Sequence, residues 1–195
     1  MTLQLTKKHD FDMVFDSQKV FRLVLDAISS PGKVVDIKET ADKLFGRNRV
    51  LLTLAVTLLD NEVSFNACDN DSLTEDITSL TLAGWERVEA ADFIFISDPD
   101  HMEHVIKNAK YGTLADPHKS ATVIVQNDDE PAYRMILSGP GIDGQTEVSV
   151  SDTVKNAIII RDAQNYEYPQ GIDFLFISGA GELFAIPRLT RMEVR

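Results

Sequence analysis

The stretch Asp173–Ile186, DFLFISGAGELFAI, decides the fold class. Asp173 to Ser178 and Leu183 to Ile186 are two strand-like runs, and Gly179-Ala180-Gly181-Glu182 supplies the turn between them, so the segment reads as a β-hairpin. Working back toward the N-terminus, Gln145 to Val150 alternates with period two as a strand, and Ser151-Asp152 caps a helix through about Arg161. Ala121 to Gln126 and Tyr133 to Leu137 read as strands around the turn-like Asn127 to Pro131. Asp92 to Ser97 is a further strand. Asp98-Pro99 then pairs a cap with proline at the first helical position, opening a helix that runs to Gly112.

The N-terminal half alternates in the same way. Asp16-Ser17 offers an N-cap, and Val20, Phe21, Val24, Leu25 and Ile28 recur with helical spacing until Ser30-Pro31-Gly32 ends the helix. Lys33 to Ile37 reads as a strand, and Asn48 caps a helix, Arg49 to Leu59, apolar on most sides. Asp60-Asn61 turns into a strand, Glu62 to Ala67. Asp69-Asn70-Asp71-Ser72 opens a third helix closed by Gly84. The total is about eight strands and about five helices. Early βαβ-like alternation plus a terminal hairpin predicts an α/β layered fold with a mixed sheet flanked by helices. No linker divides the chain, which reads as one domain over 1–195, with residues 1–14 loosely ordered.

Composition excludes several function classes. With 44% hydrophobic and 26% charged residues the chain is an ordinary globular protein. A formal net charge of −12 leaves no basic footprint for nucleic acid, and any anion site must be a local basic pocket. Met1 to Asp10 has no apolar core or cleavage site of a secretory signal. The longest apolar run, Val50 to Leu59, is broken by threonines and falls short of the roughly 20 residues of a membrane span, so a cytoplasmic location is expected. The single Cys68 excludes an internal disulfide or an all-cysteine cluster, and reads as a small half-buried hydrophobe in a strand.

Motifs for independent catalysis are missing. Gly139-Pro140-Gly141-Ile142-Asp143-Gly144 matches G-x-G-x-x-G, but a strand follows it and Pro140 removes an amide, so a hairpin-like turn is the better reading. His101 and His104 share a helix face and could ligate a metal, yet H-M-E-H is not H-E-x-x-H, and solvated helix residues explain them as well. His118 has only a loop context. There is no phosphate-loop or nucleophile-elbow motif. Arg188 and Arg191 follow a strand in an acidic protein. Their forks suit phosphate or carboxylate, on a ligand or another subunit, although ordinary surface ion pairs account for them too.

Several segments in order resemble one family. They are Phe21-Arg22 through Ser30-Pro31-Gly32, Leu51 to Asp60, Gly112-Thr113 with Pro117 and Ala121-Thr122, Leu137 to Ile142, Tyr168-Pro169-Gln170-Gly171-Ile172-Asp173, and Ala185-Ile186-Pro187-Arg188. Together they are similar to the H subunit of bacterial carbon–phosphorus lyase, the PhnH family. Tyr168 stands where that family usually has Phe, and Leu189 where it often has Thr.

The resemblance implies a cofactor-less relative of pyridoxal-phosphate-dependent transferases, with neither PLP nor an Fe–S cluster on this chain. It implies a homodimer in isolation and work with the G, I, J and L subunits. That system transfers a phosphonate onto the ribose of ATP, with Mg²⁺, and releases adenine; it gives no residue a catalytic role here. A pure scaffold and a free-standing enzyme using His101 and His104 remain the competing readings. Arg188, Arg191, Gly139 and Gly141 are the candidates for an anion or partner contact.

Overall fold

The computed structural model describes residues 9–194; the expectation for the stretch before His9 lies outside the described residues for 1–8. In chain order the elements are α1 (Phe15–Ser29), β1 (Val35–Asp36), α2 (Lys38–Ala41), α3 (Arg49–Leu58), β2 (Ser64–Asn66), α4 (Asp71–Thr81), β3 (Gly84–Trp85) and β4 (Phe93–Ile96). There follow α5 (Met102–Asn108), β5 (Thr122–Gln126), β6 (Tyr133–Ser138), β7 (Thr146–Val150), α6 (Asp152–Asp162), β8 (Asp173–Ile177), β9 (Glu182–Ile186) and β10 (Arg191–Val194).

Seven strands form the main sheet in the order β1-β9-β8-β5-β4-β2-β3. Strands β2, β3, β4, β5 and β8 run parallel, and β9 is antiparallel to both its neighbours. The fold is therefore mixed α/β. Side chains of the central strands alternate between two cores. Phe95, Ile124 and Leu175 face the layer built by α1, α3 and α4, whereas Ile94, Ile96, Val123, Val125, Phe174 and Phe176 face the layer containing α5 and α6. Strands covered on both faces read as continuous apolar runs, which is why DFLFI and DFIFI carry so little polarity. Each fully buried Phe among them contributes roughly 1.5–3 kcal/mol.

The mixed sheet predicted as one body is in fact two. Strands β10, β6 and β7 form a separate antiparallel sheet in which Arg191 pairs with Ser138 and Leu137 with Thr146. Ala121–Gln126 and Tyr133–Leu137 flank one turn, yet they join different sheets.

Local signals were displaced where another group took the role. Asp12, not Asp16 or Ser17, caps α1, accepting from the amides of Val14 (2.8 Å) and Phe15 (2.9 Å). Asn48 makes no cap bond, and its side chain meets that of Asn70. Asn70 itself caps α4, accepting from Leu73 N at 3.0 Å, and Ser151 caps α6 through Val154 N. The predicted helix through Gly112 is a 3-10 turn over Pro99–His101 continuing into α5 and ending at Asn108. Cys68 is buried in the turn after β2, not in a strand, with φ of +47°. The apolar stripe of α1 is split as well. Val20, Val24 and Ala27 are buried, while Phe21, Leu25 and Ile28 are exposed at 44, 48 and 40%. Among the described residues no helix is long and apolar enough to cross a membrane.

Candidate functional site

At the end of the main sheet where β8 begins and β9 finishes, the chain crosses from β9 to the second sheet through Pro187-Arg188-Leu189-Thr190. This crossover is held by two ionic anchors. The backbone amide of Arg188 donates to Asp173 Oδ1 at 2.8 Å, and its Nε reaches Oδ1 at 3.2 Å and Oδ2 at 3.1 Å. Its Nη2 also donates to Asp173, and its Nη1 to the carbonyl of Pro117. Arg161, only 3% exposed, donates from Nη2 to the carbonyl of Thr190 (2.9 Å), from Nη1 to that of Pro187 (3.3 Å) and from Nε to Asp162 Oδ1 (3.0 Å). Of five guanidinium hydrogens, one on each terminal nitrogen stays uncommitted among the described residues.

Glycines bring the remaining segments in. A Cβ at Gly139 would lie 2.8 Å from the carbonyl oxygen of Leu189, and one at Gly141 2.4 Å from that of Ser29 and 2.9 Å from Pro31 Cδ. Both glycines have positive φ, so the hairpin turn between β6 and β7 needs them for conformation as well as close approach. Gly171 packs against the Arg188 side chain, and Gly32 lies under Leu137 and Val148. The G-x-G-x-x-G match is thus a hairpin turn between antiparallel strands, as its period-two continuation predicts.

Two hollows flank the crossover. One, of about 610 Å³, is lined by Ser138, Gly139, Arg161, Asp162, Tyr166, Tyr168, Gln170, Arg188 and Arg191. The other, of about 490 Å³, is mostly apolar and lies between Ile28, Ser29, Pro117, His118, Pro140, Gly141, Pro169, Pro187 and Leu189. Gly139, Gly141, Pro169, Gly171, Asp173, Pro187, Arg188 and Arg191 therefore meet in one region, with Ser30, Pro31 and Gly32 against the same turn. Phe21 and Arg22 do not line either hollow; both are exposed on α1. The sequence reading missed Arg161. Thr153, Val154, Ala157, Ile158 and Arg161 are the buried positions of α6, so this arginine falls on the helix's inward stripe, a signal that spacing alone contained.

The carboxyl ends of the parallel strands, where open α/β sheets usually bind ligands, offer less. A hollow of about 260 Å³ there is lined by Asn66, Cys68, Trp85, Arg87, His101 and His104. Burial pushes the Cys68 thiol up to about 12, with the Asp69 charge adding to it. Among the described residues no group of three His, Cys, Asp or Glu side chains is placed to hold a metal, so His101 and His104 lack a third ligand. A hollow of about 370 Å³ after β5 and β8 contains Asp128, Asp129 and Glu130, whose charges disfavour anions.

Most of the segments that carry the family resemblance meet at the crossover, Phe21-Arg22 and Leu51 to Asp60 being the exceptions, and the family of bacterial phosphonate metabolism proteins, PhnH, matches residues 9–193. The chain belongs to the PhnH family. A PhnH-family role locates this protein in phosphonate metabolism. It is also 27% identical over 181 residues, 91% of this chain and 86% of the relative, to HtxG of Stutzerimonas stutzeri, named as a C–P lyase subunit. In this chain the PhnH-like segments that meet at the junction are far apart in sequence, Gly32 donating its amide to the carbonyl of Ala185 and Gly141 lying against Ser29 and Pro31.

Proposed function

We propose that this chain is a non-autonomous subunit of a carbon–phosphorus lyase, acting with G, I, J and L partner subunits to transfer a phosphonate onto the ribose of ATP with release of adenine. The observation that carries the reading is the convergence of most of the PhnH-like segments on the Arg188–Asp173 junction, beside a cleft with arginines in an otherwise acidic protein. The likeness to a C–P lyase subunit supports it. So does the apolar face of α1, since Phe21, Leu25 and Ile28 exposed at helical spacing are surface that a partner would cover. One antiparallel strand beside the edge of an otherwise parallel sheet supports kinship with the pyridoxal-phosphate-dependent transferase fold, used here without the cofactor. A homodimer in cytoplasm is the state we expect when partners are absent.

A scaffold role is the second reading, favoured by one observation: Arg188 spends its fork on Asp173 and Pro117 inside its own chain. The test is co-expression with the partner subunits, followed by an adenine-release assay with ATP, Mg²⁺ and methylphosphonate. The reading requires release to depend on this chain, and to fall in an Arg188→Ala complex of unchanged subunit composition. Release that persists without this chain sinks it, and release unaffected by Arg188→Ala in a complete complex leaves the scaffold.

A further inference from the structure

The larger hollow at the crossover combines a cationic lining with exposed aromatic surface. Its charged lining is Arg161, Arg188 and Arg191 against Asp162 alone, in a chain of net charge −12. Asp173 neutralises Arg188 and Asp162 pairs with Arg161. Arg191 is left over: it is exposed at the start of β10, its backbone pairs with Ser138, and its side chain has no hydrogen-bond or ion-pair partner among the described residues. A cation held by a strand, beside a buried guanidinium with uncommitted hydrogens, is a positive site in a field that otherwise repels anions.

The second feature is aromatic. Tyr168 is 80% exposed on the rim of the same cleft. Tyr166, also in the lining, is braced by Tyr111 at 5.0 Å between ring centroids and by its hydroxyl donating to the carbonyl of Ile106 at 3.3 Å. An exposed ring is a platform for a flat heteroaromatic group. The volume, about 610 Å³, lies within the range of small-molecule sites and far exceeds what a lone oxyanion needs.

We propose that this cleft binds a nucleoside polyphosphate, with the phosphates at Arg191 and Arg161 and the base against Tyr168. This deepens the reading above, on which it rests for its biological setting, by placing the nucleotide on this chain. Binding is electrostatic at one end and stacking at the other, so the two ends separate experimentally.

The test is calorimetric titration of the full chain with ATP, inorganic tripolyphosphate and adenosine, using Arg191→Ala, Arg191→Lys, Tyr168→Ala and, as a remote control, Lys107→Ala. ATP should bind the parent, and Arg191→Ala should weaken ATP and tripolyphosphate by roughly tenfold or more, with partial recovery in Arg191→Lys. Tyr168→Ala should weaken ATP and spare tripolyphosphate; Lys107→Ala should change neither. Absence of ATP binding at millimolar concentration overturns the proposal, as does an equal response of Arg191→Ala and Lys107→Ala. Tyr168→Ala without effect on ATP overturns the nucleoside part. An assembled complex that releases adenine although this chain binds no ATP keeps the subunit role and removes this inference. ATP binding by a chain whose complex releases no adenine does the reverse.

Discussion

Arg188 and Asp173 lie on opposite sides of the β8–β9 pair's open end, and the one carboxylate receives both the backbone amide (2.8 Å) and the Nε (3.1 Å) of the arginine. The register makes this possible. Phe174 opposes Ile186, so Pro187 comes opposite Asp173, and Arg188, one residue further on, bonds back to the Asp173 carboxylate with its amide and its side chain. Asp173→Asn keeps the shape but removes the charge from a pair whose side chains are 18 and 26% exposed. The expected cost is about 1–3 kcal/mol, read as a lower urea midpoint at unchanged slope.

The turn that carries Gly141 should be intolerant for a steric reason separable from backbone conformation. Gly141→Ala forces a methyl to 2.4 Å from the carbonyl oxygen of Ser29, whereas Gly144→Ala, also at positive φ, meets nothing within 4 Å. Gly144→Ala should cost about 1 kcal/mol and Gly141→Ala about 2–3 kcal/mol or more. Thermal midpoints of the two variants, measured side by side, check the order.

Acid sensitivity has a named contributor at the start of β4. Burial pushes the Asp92 carboxyl up, but the Lys110 ammonium and the hydroxyl and amide of Ser64, at 2.7 and 2.8 Å, outweigh it and hold the group below the usual carboxylate range. A depressed carboxyl adds stability above its unfolded value, near pH 4, and loses it as pH falls through the folded value. Asp92→Asn should therefore be less stable than the parent at pH 7, and the gap should close below about pH 4. Because the side chain is 36% exposed, added salt should narrow the gap at pH 7.

Cys68 should be chemically quiet in the native protein. With its thiol pushed up to about 12, the thiolate fraction at pH 8 is roughly a thousandfold below that of an ordinary cysteine. Mass spectrometry after iodoacetamide should show almost no labelling in native buffer and complete labelling in urea. Rapid native labelling would contradict the burial of this turn.

The exposed face of α1 separates folding from assembly. Replacing Phe21 and Leu25 together by Glu touches neither Val20 nor Val24, so the thermal midpoint should move by no more than a few degrees. Co-purification with partner subunits should be lost. Retention of the complex would remove this face from the interface.

Much of this architecture was legible from local pattern. The Asp173–Ile186 hairpin, the buried strands at Asp92–Ser97 and Ala121–Gln126, and the Asn70 and Ser151 caps follow from periodicity and short-range hydrogen bonding. Long-range choices were not. Nothing local says that Tyr133–Ser138 leaves the main sheet to pair with Arg191–Val194, because strand pairing is set by tertiary contacts. The split of the α1 stripe, with Phe21 and Leu25 outward, needs knowledge of which angular sector meets the sheet. At the site, Arg188 and Arg191 were visible as cations in an acidic chain. Their division of labour, one locked to Asp173 and one free, depends on folding alone.

Strand β10 follows every other described strand in the chain, yet it supplies Arg191 and extends the crossover wall of the cleft. Strand β10 pairs with β6 along Arg191–Val194, and its Met192 packs against the core that holds α5 and α6. One wall of the cleft is therefore also a fastening between the two sheets. A change that loosens β10 displaces Arg191 at the same time, so the set of the small sheet and the shape of the recess cannot vary independently.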